Sequence, residues 1–255
     1  MFERTQYVAG ISIVTILISC GKEDTPPSND AAPPGAEKEA ETKLLEKSAE
    51  LLQDLSPVRA LDHYLNGFHV MKDDPSLHME AHHYCKGMNE DFTQCVIFDG
   101  NTSDSNLIGI EYIISEKLFD SLAPDEKQRW HPHNYEILSG QLILPGVPDV
   151  AEKAALAKKL NSYGKTWHVW DTGHAGHPAA DELPVGHPLL AWSYNRDGEA
   201  PASMVERRDA RMHVDTSRKR EQRAELADAA RPQMGTDVLQ RKPGEGSTGT
   251  AKETR

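Results

Sequence analysis

The sequence predicts an α+β fold, a mainly antiparallel sheet with flanking helices, with an incomplete β-barrel as the alternative. Three observations predict it. Apolar residues recur with period two in short runs between residues 78 and 114, most clearly in Leu107-Ile108-Gly109-Ile110-Glu111-Tyr112-Ile113-Ile114. Turn-forming segments, Lys86-Gly87-Met88-Asn89-Glu90-Asp91 and Asp99-Gly100-Asn101, punctuate those runs. Helical apolar stripes lie before and after them.

Taken in order, residues 21 to 43 are dominated by Pro, Ala, Glu, Lys and Asp without an apolar period and read as a tether. Leu44, Leu45, Leu51, Leu52 and Leu55 form one helical stripe. Ser56 and Pro57 then suit an N-cap and a first helical position. Val58, Leu61, Leu65 and Phe68 extend that second helix, with Gly67 as its stop. Strands are predicted at 78–86, 93–99 and 107–114, and short helices at 116–122 and 125–130. Tyr135 to Leu144 reads as a further strand. Pro148 starts a helix running to about Tyr163, with Gly164 as its C′ glycine. Thr166 to Trp170 and Pro188 to Trp192 read as the last strands. Ser203-Met204-Val205-Glu206 forms a capping box, and Asp215 caps a helix rich in Arg and Lys. The expected organisation is a signal segment at 1–19, a lipidated Cys20 with its tether at 20–43, one domain at 44–231 and a disordered tail at 232–255.

The formal net charge is −12 and the isoelectric point is near 5.4. Nucleic acid is therefore not an expected partner, because it calls for a basic face. The basic helix with Arg218, Lys219, Arg220 and Arg223 is interleaved with Glu221 and Glu225. It reads as a solvated helix rather than a surface for anionic headgroups.

Leu17-Ile18-Ser19-Cys20 closes an apolar stretch that starts at Tyr7, and this pattern resembles the bacterial lipoprotein signal. The stretch is shorter than the ~20 apolar residues that span a bilayer core, and it suits a signal h-region. The resemblance implies a diacylglyceryl group on the Cys20 thiol, cleavage before Cys20 and acylation of the new amine, palmitate being the usual chain type. Such chains would anchor the protein to a membrane without spanning it. Gly21 and Lys22 lack the Asp that favours inner-membrane retention, so the expected location is the periplasmic face of the outer membrane in a bacterial cell envelope.

Chemistry-bearing residues are clustered. His82-His83-Tyr84-Cys85, His131-Pro132-His133, Thr166-Trp167-His168 and the pair His174 and His177 hold seven of the twelve histidines. Residues two apart on a strand share a face. His131 and His133 should therefore point the same way, and only one of His82 and His83 should join them. Imidazoles from His82 or His83, His131, His133 and His168, with a carboxylate or water, would suit zinc, iron or manganese. The alternative is a set of histidines that hydrogen-bond within a polar core or stand on the surface. The spacing from His133 to Glu136 does not fit the cupin pattern. Glu111 has apolar neighbours on both faces, and a buried carboxylate is costly unless paired. Its expected partner is a His, Lys165 or Arg129. Glu111 and Glu136 are the acid/base candidates. Cys85 and Cys95 are open to a disulfide, to buried thiols or to metal binding. No Gly-rich phosphate loop, Gly-x-Ser-x-Gly elbow or Cys-x-x-Cys is present, so no motif names a reaction or demands a cofactor.

A longer pattern runs through these clusters. Leu65-Asn66-Gly67-Phe68-His69 is followed by Glu80-Ala81-His82-His83-Tyr84-Cys85, by Asn89-Glu90-Asp91 leading to Gln94-Cys95, and by Leu107-Ile108-Gly109-Ile110-Glu111-Tyr112. Trp130-His131-Pro132-His133-Asn134-Tyr135-Glu136, Tyr163-Gly164-Lys165-Thr166-Trp167-His168 and Val205-Glu206-Arg207-Arg208-Asp209 complete it. Over roughly residues 56 to 222 the chain resembles the oil-body-associated protein family. That resemblance implies work at a lipid surface, with a membrane and a lipid ligand as partners and no established reaction. Relatives that face the cytosol carry the same two cysteines, which the resemblance sets against a disulfide. The lipoprotein signal, the acidic tether and the longer tail set this chain apart from plant members.

Overall fold

The computed structural model describes residues 33–173 and 181–233. The signal segment, Cys20, the first part of the tether, His174, His177 and all but the start of the tail lie outside them. Among the described residues no helix is long and apolar enough to cross a membrane.

Helix α1 (Ala40–Leu52) carries the leucine stripe but buries none of its residues. Helix α2 (Ser56–Arg59) is a single turn with Pro57 near its start. The expected continuation through Phe68 is not helical: His63–Met71 is strand β1. Tertiary pairing decides the matter. Eight consecutive positions from His63 to Val70 pair with β2 (His78–Asn89), and Leu65 through His69 are buried on both faces. A strand covered on both sides shows no alternation to read.

Strands β3 (Phe92–Phe98) and β4 (Leu107–Ile114) follow at their predicted positions. Helix α3 (Glu116–Asp120) is capped by the Ser115 side chain, which accepts from Leu118 N, and α4 (Pro124–Lys127) begins at Pro124. The next strand, β5, is only His131–Pro132. The strand expected over Tyr135 to Leu144 is instead helix α5 (Asn134–Leu138) and a loop. Gly140 turns that loop at φ +82°, and Ile143 bridges Asn66. Helix α6 (Asp149–Ala157) ends earlier than predicted, and Gly164 lies inside β6 (Tyr163–His168) rather than beyond a helix end. Strand β7 (Leu189–Ser193), helix α7 (Ala202–Met212) and helix α8 (Thr216–Gln222) complete the chain. Pro201, not Ser203, precedes α7, so the expected capping box is absent, whereas Asp215 accepts from Arg218 N at 2.9 Å as predicted.

The sheet closes. Strands β1, β2, β3, β4, β6 and β7 pair antiparallel in that order and β7 returns to β1, with β5 added along β6. The fold is thus α+β around a complete barrel rather than an incomplete one. Inward positions fall into layers. One apolar end holds Leu65, Cys85, Cys95 and Ile113 against Ile137, Leu142, Leu156 and Leu160 of the covering segments. The other holds Met71, Met79, Ala81, Ile97, Ile108 and Ala191. Each fully buried Leu, Ile or Met contributes ~1.5–3 kcal/mol. Cys85 and Cys95 stand directly opposite each other on β2 and β3 and form a disulfide, with Cα atoms 4.0 Å apart.

The basic helix does structural work. Arg223 is buried and donates to the carbonyls of Ile137 and Leu142 and to Glu152. Lys219 pairs with Glu152 at 2.6 Å, Arg220 pairs with Asp197, and Arg218 approaches Asp149. These side chains clamp α8 onto α6 and the barrel. Arg208, from the Val205–Asp209 motif, is likewise buried: it donates to Asn66 Oδ1 and the Gln141 carbonyl and lies over the Phe68 ring.

Candidate metal centre

The layer between the apolar ends is polar. Period two places His69 of β1, His83 of β2, Glu111 of β4 and His168 of β6 on the inner face, all buried. His131 and His133 join them by a different route from the one predicted. Only His131 is on a strand; the chain turns at Pro132 and His133 precedes the first turn of α5. The two rings nevertheless meet, with centroids 5.1 Å apart.

Glu111 is the hub. Its Oε1 is 3.3 Å from His131 Nε2 and 3.4 Å from His133 Nε2, and its Oε2 is 3.0 Å from His83 Nε2. The expectation of a His partner is met, while Lys165 and Arg129 both bond to Glu126 instead. His69 Nδ1 lies 2.9 Å from His168 Nε2, and the His69 and His83 rings meet edge to face. Glu136, one helical turn from His133, brings Oε1 to 3.9 Å from His133 Nε2. His82 is the one predicted metal-binding histidine outside the cluster. It projects from the opposite face of β2, bonded to Tyr64 and close to Glu80 and Asn66. A strand sends adjacent residues to opposite sides, so His83 enters and His82 cannot.

The donor set passes two tests for a metal. Ligands ~2.0–2.1 Å from a tetrahedral zinc are ~3.3–3.4 Å apart, which is the separation of Glu111 Oε1 from both His131 Nε2 and His133 Nε2. The second test concerns Gly164, which faces the same three atoms. A Cβ on Gly164 would stand 2.1 Å from Glu111 Oε1, 2.6 Å from His133 Nε2 and 2.7 Å from His131 Nε2. The three donors therefore pack against Gly164 so closely that only glycine can stand there. His69, His83 and Glu111 form a second close set. The Nδ1 atoms of His83 and His131 are buried without a hydrogen-bond partner. Buried polar atoms are rarely left so.

Ionisation agrees. Burial acts to raise the Glu111 pKa, but hydrogen bonds from His131, His133 and His83 outweigh it and hold the carboxyl well below its usual value. Burial pulls His133 down to about 4 and His168 to about 3, and burial, with His83 and His168 beside it, also holds His69 well below its usual value. Neutral imidazoles around one carboxylate are the protonation state that metal ligands require. Glu136 goes the other way: burial, then the Glu111 charge, raises it well above the usual carboxylate range. One carboxylate is kept ionised and its neighbour kept protonated, a division that suits acid/base work.

A cavity of about 300 Å³ leads to this cluster. Its wall is largely aliphatic, from Leu65, Ile113, Leu142, Leu144 and Leu156, and its inner end is formed by His69, His83, Glu111, His133 and Glu136.

The sequence singled out His83, His131, His133, His168, Glu111 and Glu136, and all six converge. It passed over His69 and Gly164, although both lie in the quoted motifs. Each was hidden by a helix assigned where a strand stands.

The fold and its interior define a class: an antiparallel barrel with a buried His–Glu cluster at the end of an apolar cavity. Residues 55–227 match a family described as protein of unknown function (DUF1264). Oil body-associated protein 1B of Arabidopsis thaliana is 36% identical over 217 residues, covering 84% of this chain and 86% of the relative. Oil body-associated protein 1A of Zea mays is 36% identical over 84% of this chain and 86% of the relative. Oil body-associated protein 2A of Arabidopsis thaliana is 37% identical over 72% and 73%. The chain belongs to the oil body-associated protein family. No solved structure matches it.

Proposed function

We propose that the barrel interior is a divalent-metal centre and that the protein is a metal-dependent enzyme. The observation that carries this reading is the convergence of Glu111, His131 and His133, whose donor atoms stand at the separation of ligands around one ion. Zinc, iron or manganese suits a site of imidazole and carboxylate donors. Glu111, His131 and His133 would hold the ion, with His83 and His69 close enough to complete or orient the set. A bound ion would supply Lewis acidity and a lowered pKa for a coordinated water. Glu136, protonated and on the cavity wall, is placed to donate a proton to a group entering from the cavity. Elemental mass spectrometry of the purified protein, made without a metal-binding tag, tests the reading. Near-stoichiometric metal is expected, falling to background in the double variant His131→Ala, His133→Ala. A metal-free, folded wild-type protein would sink it.

A second reading, association with a lipid surface, has its own support. The relatives are named as oil body-associated, and α1 presents Leu44, Leu45, Leu51 and Leu52 at 62–85% exposure. In this reading the protein is a bacterial envelope lipoprotein, held by acyl chains on Cys20 at the periplasmic face of the outer membrane. Two lipid signals anchor stably where one does not. In detergent phase partition the full-length protein should enter the detergent phase and Cys20→Ser should return it to the aqueous phase. Aqueous partition of both would refute the anchor.

A further inference from the structure

The cavity that ends on the His–Glu cluster is graded from one end to the other. Its innermost residues are buried. Its outer rim is formed by Lys158 and Ala155, both exposed, and by half-buried Lys159, His63 and Leu144. Between rim and cluster the wall is aliphatic, without an aromatic face on which a flat ring could stack.

Lys159 is the unusual member of the rim. Its Nζ donates to the neutral hydroxyl of Thr93 at 2.9 Å. Among the described residues neither it nor Lys158 has a carboxylate within ion-pair distance, whereas Lys153, Lys165 and Lys219 each do. Burial lowers the Lys159 pKa and the more distant Glu90 offsets this only in part, so the charge is held at a cost that a closer anion would relieve. A small-molecule pocket with apolar walls and a few placed polar groups takes its ligand's orientation from those groups. Here they are a cation at the mouth and the His–Glu cluster at the far end.

We infer that the cavity binds an unbranched aliphatic carboxylate, its carboxylate at Lys159, its chain along Leu65, Ile113, Leu142 and Leu156, and its distal carbons facing the His–Glu cluster. This assignment rests on the metal-centre reading for what the distal end meets, and it names the class of substrate that centre would act on. A fatty acid enters tail first: the charged head stays near solvent, where it is not desolvated, and the methylenes take the dry wall. The volume of about 300 Å³ is at the lower end of the range for small-molecule pockets, which favours medium over long chains.

Titration calorimetry of the purified full-length protein, metal-loaded and metal-depleted, tests the assignment with hexanoate, octanoate and decanoate as probes and decanol as the uncharged control. Affinity should rise about fourfold per added methylene until the cavity is full. Lys159→Met keeps the aliphatic stem and should weaken decanoate about tenfold while leaving decanol unchanged. Ala155→Trp, a change at an exposed helix position on the rim, should block both ligands. Circular dichroism shows whether either variant has unfolded. Failure of decanoate to bind wild-type protein in either metal state would overturn the inference, even with metal content intact. Binding that depends on metal and ignores Lys159→Met would overturn it too, because the carboxylate would then be at the cluster. Chain-length-dependent, Lys159-dependent binding by a protein that holds no metal would keep the ligand and discard the centre.

Discussion

At the scale of single residues, Gly164 decides whether the centre can exist. Its missing side chain is what lets Glu111, His131 and His133 draw together against its strand. Gly164→Ala places a methyl group there. The expected result is loss of bound metal to background, together with a destabilisation of ~1–3 kcal/mol from overpacking, read by metal analysis and thermal melting. Full metal content in a folded Gly164→Ala protein would show that the ion, if any, binds elsewhere. Part of this site was legible beforehand, because His83 and His168 are strand positions whose side-chain directions follow from period two, and His131 and His133 are close in sequence although a turn at Pro132, not a shared strand face, brings them together. His69 was not, since the segment from Val58 to Phe68 satisfies a helical pattern equally well. Gly164 was not, since a glycine after a helical run looks like a helix stop and its real neighbours, Glu111, His131 and His133, come from distant segments.

At the scale of elements, the outer face of β1 and β2 meets α7 through charge. Glu80 of β2 accepts from Asn66 at 2.8 Å and from Arg211 of α7, and it lies 3.2 Å from His82. Burial acts to raise the Glu80 pKa, but His82 and Arg211 bring it from 4.5 down to about 2. A folded-state pKa below the unfolded value adds stability that is present above pH ~4.5 and is lost as pH falls towards 2. Melting temperatures measured across that window should fall steadily for the wild type, and Glu80→Gln should reduce the slope by the equivalent of a few kcal/mol at most. An unchanged slope would mean that Glu80 titrates normally. The same pair of elements shows why β1 escaped the sequence. Its outward residues Asn66 and Phe68 are buried beneath Arg208, so polar and apolar residues do not alternate there. Strands β3 and β4, with several half-buried or exposed outward positions, kept their alternation and were read correctly.

At the scale of the whole molecule, α1 and the barrel behave as separate parts. The leucines of α1 touch no core, so replacing Leu44, Leu45, Leu51 and Leu52 by Ser should leave the melting temperature of the barrel within about 2 °C, the scale of a surface change. The same variant, combined with Cys20→Ser to remove the proposed anchor, should bind neutral-lipid emulsions more weakly than Cys20→Ser alone. Equal binding by both would mean that α1 is not the lipid-facing element. Closure of the barrel has a temporal meaning as well. Met71 of β1 pairs with Ala191 of β7, and His69 reaches His168 across 99 residues of sequence. Such distant pairings form late, after the long intervening loop has been closed. During synthesis the barrel therefore cannot close until β7 has been made, and the residues around Glu111 cannot gather until the chain extends through His168. A metal ion would find no finished site on a nascent chain, so loading would follow folding rather than guide it.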